Sequence, residues 1–388
     1  MIHRLVLARL RGRTPRSALV ASLVALGFAP AACAQVTDFS ADDQEYRVVT
    51  VVDGLEFPWG LAFLPSGELL VTEKVGRLRV VRDGVLLPDE VAGLPEVAVR
   101  GQGGLLDVAL HPDFENNRLV YLSFSKPGEG RTASTAVVRG RLDGMRLTGV
   151  EEIFEADAYG SGGNHFGSRL LFDRDGYLFI TVGERGEMQE AQNPSNHQGT
   201  IIRLHDDGRV PADNPFVGRE GFRPEIYAYG IRSPQGLTLH PETGEIWELE
   251  HGPRGGDEVN WIRPGRNYGW PVITYGINYN GTTIGEGLTE LEGMEQPLHY
   301  WVPSIATSGM AFYTGDQFPA WRGSLFVGGL AGEQLARVSF DGHRSTGEET
   351  LMEGFGRVRD VRDGPDGYLY VLIDDDRAPL LRLEPSGG

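Results

Sequence analysis

Ser168-Arg169-Leu170-Leu171-Phe172-Asp173-Arg174-Asp175-Gly176-Tyr177-Leu178-Phe179-Ile180 decides the fold. Two short apolar runs flank a reversal at residues 173–176, where Asp and Gly permit tight geometry, so the stretch predicts a β-hairpin. The pattern occurs six times. Before it come Pro58-Trp59-Gly60-Leu61-Ala62-Phe63 with Leu69-Leu70-Val71, and Leu105-Leu106-Asp107-Val108 with Leu119-Val120-Tyr121-Leu122. After it come Gly236-Leu237-Thr238-Leu239 with Glu245-Ile246-Trp247, Gly309-Met310-Ala311-Phe312 with Ser324-Leu325-Phe326-Val327, and Val358-Arg359-Asp360-Val361 with Tyr368-Leu369-Tyr370-Val371. Anchored on Leu61, Leu105, Leu170, Leu237, Met310 and Val361, the copies stand 44 to 73 residues apart. A propeller blade of four strands needs roughly 40–50 residues, and the longer intervals leave room for inserted loops. The fold expected is all-β, a six-bladed β-propeller of four-stranded antiparallel blades. Further runs such as Leu78-Arg79-Val80-Val81 and Gln334-Leu335-Ala336-Arg337-Val338 supply third strands. An eight-stranded sandwich or barrel would not explain six similar hairpins.

Composition narrows the function. The 388 residues carry a net charge of −18, which argues against a nucleic-acid partner. Residues 1–34 hold five arginines, no acid and the apolar run Ala18-Leu19-Val20-Ala21-Ser22-Leu23-Val24-Ala25-Leu26-Gly27-Phe28, then Ala32-Cys33-Ala34. They read as a signal peptide, with lipidation at Cys33 as the alternative, so a periplasmic location is expected. The run is too short to span a bilayer, and no membrane insertion is expected. Residues 35–388 then form one propeller catalytic domain. Cys33 is the sole cysteine, so disulfide frameworks and Cys-based zinc sites are excluded. Lys74 and Lys126 are the only lysines, which leaves Schiff-base chemistry little to draw on. No Gly-x-Ser-x-Gly nucleophile elbow is present, and Gly101-Gln102-Gly103-Gly104 lacks the strand–helix setting of a nucleotide fingerprint.

In a propeller the residues just before each innermost strand converge on one mouth of the central channel. That rule collects Gln102, Asn164, His165, Arg232, Ser233, Ser304, Arg357 and Arg359. A neutral imidazole accepts protons near neutral pH, and guanidinium forks suit carboxylates. Three arginines at one mouth of an acidic chain point to a multiply anionic ligand. A second group, Gly252-Pro253-Arg254-Gly255-Gly256-Asp257-Glu258, offers loop carbonyls and carboxylates, hard oxygen donors suited to Ca²⁺. Trp59, Trp270 and Trp301 are candidates to wall a ligand cleft.

With Asn164-His165-Phe166-Gly167-Ser168-Arg169-Leu170, Gly230-Ile231-Arg232-Ser233-Pro234-Gln235-Gly236-Leu237, Asn267-Tyr268-Gly269-Trp270-Pro271 and Arg357-Val358-Arg359-Asp360-Val361 added to the motifs above, the chain resembles the soluble aldose sugar dehydrogenases that depend on pyrroloquinoline quinone (PQQ). The resemblance runs from about residue 45 to 385. It implies that His165 is the general base and that Arg232 stabilises developing charge. It implies that Gln102, Arg232, Ser233, Arg357 and Arg359 hold PQQ. Gly252 and Pro253 match carbonyl ligands of the Ca²⁺ that binds PQQ, and Glu258 and Tyr268 match a second, structural Ca²⁺ site. The implied reaction oxidises the anomeric hydroxyl of an aldose to a lactone, with electrons leaving to an external acceptor. Three departures stand out. Asn164 replaces an acidic partner beside the histidine, Ser233 replaces an Asn, and no lysine lies around Gly328-Gly329-Leu330-Ala331. Competing readings are a calcium-dependent propeller lactonase, which would need carboxylates rather than arginines at the mouth, and a non-enzymatic extracellular binding propeller.

Overall fold

Each of the six hairpins becomes the first two strands of a separate antiparallel sheet in the computed structural model, which describes residues 36–386. The leader at 1–34 and Cys33 lie outside the described residues. Blade one comprises Pro58–Phe63, Leu69–Glu73, Arg77–Arg82 and Val85–Leu86. Blade two comprises Leu105–Leu110, Leu119–Pro127, Ala133–Asp143 and Arg146–Glu155. Blade three comprises Gly167–Phe172, Leu178–Val182, Thr200–Leu204 and Ile226–Tyr229, and blade four Pro234–Leu239, Ile246–Glu250, Asp257–Ile262 and His299–Trp301. Blade five comprises Thr307–Phe312, Leu325–Gly329, Gln334–Asp341 and Arg344–Leu351. Innermost strands pack against one another in chain order and the last against the first, so the sheets form the expected six-bladed propeller. Helix among the described residues is confined to Phe114–Asn117 and two 3₁₀ turns.

Blade six is closed by a strand the hairpin pattern did not reveal. To Val358–Asp363, Leu369–Ile373 and Ala378–Pro385 it adds Glu45–Leu55 from the other end of the chain, with Val36–Ser40 outside it. Thr50 faces Leu381 and Val48 faces Leu383, so backbone hydrogen bonds fasten the ring shut. Burial explains the sequence pattern. Second strands such as Leu178–Val182 and Leu369–Ile373 are buried throughout, because each blade is covered on both faces by its neighbours. Outermost strands such as Arg344–Leu351 meet solvent and read as polar. The apolar clusters accordingly lie between blades, as with Leu70, Val80, Val108 and Leu122 between blades one and two.

Register puts a layer of charge in the channel. Leu61, Val108, Leu170, Leu237, Met310 and Val361 pair with equivalent residues of their second strands, so Val108 rather than Leu105 is the true counterpart in blade two. One residue earlier the six strands carry Gly60, Asp107, Arg169, Gly236, Gly309 and Asp360. A Cβ on Gly60 would sit 2.6 Å from Asp107 Oδ1, and one on Gly309 2.2 Å from Asp360 Oδ1, so the glycines make room for the carboxylates. Arg169 NH1 lies 3.1 Å from both Asp107 and Asp360, and Arg362 reaches both at 2.8 Å. Two positive and two negative charges form a neutral plug. Above it, every innermost strand has a register irregularity at its start, a device that re-aims side chains toward the mouth.

Candidate active site

His165 stands at that mouth in a left-handed backbone conformation, φ 52°. Its amide donates to Gln102 Oε1 at 2.7 Å, which ties blade three to the Gly101–Gly104 loop of blade two. The ring is buried, and Nδ1 lies 2.9 Å from Glu184 Oε2, off the line of the ring N–H. Burial is the main cause holding its pKa below the ordinary 6.5; Glu184 pulls it up, while Arg232 and His251 push it down. The imidazole is thus neutral at pH 7. With Nδ1 turned to a carboxylate, Nε2 is left as the proton acceptor. Glu184 is fixed in turn by the amide of Gly186. A carboxylate therefore does stand beside the histidine, supplied by the end of blade three's second strand rather than by position 164.

Arg232 is held from the next blade. Its amide donates to Glu250 at 2.7 Å, and NH1 donates to the carbonyls of His251 and Gly252 at 2.6 and 3.0 Å. Ser233 is fully buried, and its hydroxyl accepts from Gln235 Nε2 at 3.2 Å. Gln235 Oε1 accepts from Arg359 NH1 at 3.3 Å, and Arg359 NH2 reaches Asp374 at 3.2 Å. Arg357 NH2 is 3.4 Å from the same carboxylate, and its NH1 donates to the Leu330 carbonyl. Gln102 holds the His165 amide, the amide of Glu184 donates to the Arg232 carbonyl at 3.0 Å, and Ser233, next in the chain, leads through Gln235 and Arg359 to Asp374 and Arg357, so these residues share one mouth. Arg359 is 92 % buried (8 % exposed), yet its two hydrogen bonds are long and its Nε has no acceptor. Asp374 is held below the usual carboxylate range by Arg359, Lys74 and Arg357 against the opposing effect of burial.

The residues read as ligands of two separate metal sites gather around one small cavity. Gly252, Glu258 and Tyr268 line one cavity of about 10 Å³ with Arg232, Glu250, Gly256, Trp270, Ile273 and Thr274, room for a single water-sized occupant. Pro253 is buried beside it. The Tyr268 hydroxyl is already used, donating to the Trp261 carbonyl at 2.5 Å and accepting from the Arg263 amide at 2.9 Å, so only its carbonyl is free to ligate. Burial drives the Glu248 and Glu258 carboxyls well above the usual range and Glu250 to about 7, with Asn260 bonded to Glu248 and Glu250. Glu248 Oε1 and Asn260 Oδ1 have no partner. Asp257 is not available as a ligand. It accepts from the Gly252 amide and the Ser304 hydroxyl at 2.8 Å and from the Thr307 amide, clamping the Gly252 loop to blade five. No group of three His, Cys, Asp or Glu among the described residues is arranged as a ready ligand shell.

The tryptophans belong to packing. Trp59 lies under Arg169 at 4.2 Å, Trp270 beside Arg232 at 5.4 Å, and Trp301 is buried between blades four and five with its indole donating to Glu348. The residues that reading from first strands missed are Glu184, Gln235, Lys74 and Asp374. Gln235 lies inside the first strand, while Lys74, Glu184 and Asp374 follow second strands. In antiparallel hairpins those ends return to the same mouth, and extending the rule to them would have found these three.

A buried imidazole stands against a carboxylate at a propeller's mouth that also holds Arg232, Arg357 and Arg359, and known proteins give the class of such a chain. Residues 55–382 match the family model described as glucose/sorbosone dehydrogenase. Aldose sugar dehydrogenase YliI of Escherichia coli is 46% identical over 344 residues, covering 87% of this chain and 93% of that protein. The apo-form crystal structure of the soluble aldose sugar dehydrogenase from E. coli superposes with a TM-score of 0.85 at 45% identity, over 88% of this chain and 99% of that one. The PQQ-bound aldose sugar dehydrogenase of Streptomyces coelicolor gives 0.72 at 30% identity, over 92% and 100%. The fold and these relatives define a sugar-oxidising dehydrogenase of the quinoprotein type. The chain belongs to the glucose/sorbosone dehydrogenase family.

Proposed function

We propose that this protein oxidises the anomeric hydroxyl of aldoses to lactones with PQQ and Ca²⁺, passes the electrons to an external acceptor, and works in the periplasm after removal of residues 1–34. The observation that carries the reading is that the buried, neutral His165 with its Glu184 partner and the under-satisfied guanidinium of Arg359 stand at one mouth, linked by the Glu184 amide on the Arg232 carbonyl and by the Ser233–Gln235–Arg359 hydrogen bonds. PQQ is a planar tricarboxylate, and Arg232, Arg357 and Arg359 with the amides of Gln102 and Gln235 fit its charge and hydrogen-bonding. The carbonyls of Gly252 and Pro253 are hard donors that suit calcium, and the partnerless oxygens of Glu248 and Asn260 beside Glu258 suit a second cation. When bound, PQQ supplies the acceptor for hydride leaving C1, and calcium supplies a Lewis acid.

The protein's own part follows from the geometry. His165 Nε2 takes the hydroxyl proton as the C1–O bond becomes a carbonyl. Glu184 stabilises the imidazolium so formed, 2.9 Å from Nδ1. Arg232 uses only NH1 to grip the carbonyls of His251 and Gly252, which leaves its other N–H groups for negative charge developing at the mouth.

Two results are expected. Purified protein incubated with PQQ and Ca²⁺ reduces an artificial dye when aldoses are added, and protein lacking either addition does not. Lactone hydrolysis without dye reduction would indicate a lactonase, and neither activity a binding module. Secondly, protonation disables the base, so turnover falls as pH drops through the lowered pKa of His165, with an acid limb below pH 6.5. Glu184→Gln removes an influence that raises this pKa and moves the limb further to acid. A pH–turnover profile with the limb above neutrality would contradict this assignment.

A further inference from the structure

Lys74 and Lys126 are treated differently by the fold. Lys126 pairs with Glu152 and Glu155 on the outside of blade two. Lys74 makes no ion pair with a carboxylate among the described residues; its ammonium lies 4.7 Å over the ring of Phe57. The backbone around it is built to hold it there. Its amide donates to the Phe57 carbonyl at 3.0 Å, and its carbonyl accepts from the Leu105 amide at 3.2 Å. Phe57 is itself tied to blade six by its amide, which donates to the Asp375 carbonyl at 2.7 Å. A Cβ on Gly104 would fall 1.9 Å from the Lys74 carbonyl oxygen, so a side chain there would expel the lysine backbone from its seat. This accounts for part of the Gly101-Gln102-Gly103-Gly104 loop that nucleotide chemistry did not.

Lys74 follows blade one's second strand as Asp374 follows that of blade six, so both stand at the mouth that holds Arg357 and Arg359. Lys74 lowers the Asp374 pKa together with the two arginines, so the four charges share one neighbourhood. Three cations then face one carboxylate, an excess of two positive charges. No lysine stands around Gly328-Gly329-Leu330-Ala331 to supply that charge from blade five.

We infer that Lys74 is a binding residue for a carboxylate of the anionic cofactor, completing from blade one the cationic arc that Arg357 and Arg359 begin on blade six. The inference rests on the quinone reading above and adds a ligand to it. A half-buried ammonium with an aromatic ring beneath it and no resident counter-ion of its own is free to meet an incoming carboxylate.

The test is calorimetric titration of PQQ, with Ca²⁺ present, into purified wild type, Lys74→Gln and Lys74→Arg, alongside thermal melts of each. Wild type binds. Lys74→Gln is expected to weaken binding roughly ten- to a hundredfold, the scale of one charge-assisted hydrogen bond, with an unchanged melting temperature. Lys74→Arg should recover most of the affinity and keep the salt dependence that the Gln variant loses in part. Equal affinity in wild type and Lys74→Gln overturns this inference and leaves the quinone reading standing. Equal weakening in both variants with a lowered melting temperature makes the residue structural and overturns it too. No heat with wild type overturns the inference and the quinone reading together.

Discussion

Replacing His165 by Gln is expected to cut turnover about 10²–10⁴-fold, roughly 3–5 kcal/mol of transition-state stabilisation, while quinone affinity stays nearly unchanged. Gln fills much of the same volume and keeps a polar tip, but an amide cannot take a proton at neutral pH. The cations proposed to hold the cofactor come from blades one, four and six and do not bond the imidazole. The backbone at 165 is fixed by its amide bond to Gln102, which the substitution leaves in place. The His165 side chain is only 10 % exposed, so solvent has limited access to replace the missing base. Dye-reduction kinetics give the turnover, and titration with PQQ gives the affinity. Turnover like wild type's would remove His165 from the chemistry. Loss of turnover and affinity together would make it a structural support of the pocket.

Much of this was legible in the sequence because of symmetry. A hairpin buried on both faces needs apolar runs on either side of a Gly/Asp turn, and six copies of Leu170-Leu171-Phe172 with Leu178-Phe179-Ile180 reveal both the blade and the count. The position of His165 and Arg232 follows from that symmetry, since both precede an innermost strand. Three things were hidden. Ring closure by Glu45–Leu55 depends on pairing between the two ends of the chain, and nothing local in either strand announces it. Glu184, Lys74 and Asp374 stand after second strands, where the chain leaves regular pairing and the repeat fades. The channel plug was hidden because Asp107 and Arg169 sit inside strands that otherwise read as apolar, and Asp360 and Arg362 lie in a strand of alternating charges with no local sign of their partners. Their neutralisation is visible only once the register aligns them. The same register shows why Asp257 is no metal ligand: its oxygens are taken by Gly252, Ser304 and Thr307.

The plug also gives the largest stability effect expected. Asp107→Ala should destabilise the protein by about 3–5 kcal/mol, the cost of removing one partner from a buried ionic network. Asp107 is fully buried and takes four donors: the amides of Val108 and Leu170 at 2.9 Å, Arg169 at 3.1 Å and Arg362 at 2.8 Å. Without it two amides lose their acceptor, and two guanidiniums share the single carboxylate of Asp360. Position decides the magnitude. Arg344 and Asp341 also form a pair, at 3.5 Å, but their side chains are 77% and 79% exposed, so Asp341→Ala should cost no more than about 1 kcal/mol. Denaturant unfolding of the two variants beside wild type measures both. Asp107→Asn keeps the shape and one acceptor oxygen, so it should fall between Asp107→Ala and wild type and remain measurable if the alanine variant does not fold. Arg169 also lies close enough beneath Arg359 to lower its pKa. A cation left unpaired in the plug should therefore be felt at the mouth, so Asp107→Asn is expected to tighten anion binding while it weakens the fold. A loss below about 1 kcal/mol for Asp107→Ala would mean that water enters the channel and screens the charges, and the plug would no longer be the dry floor of the site.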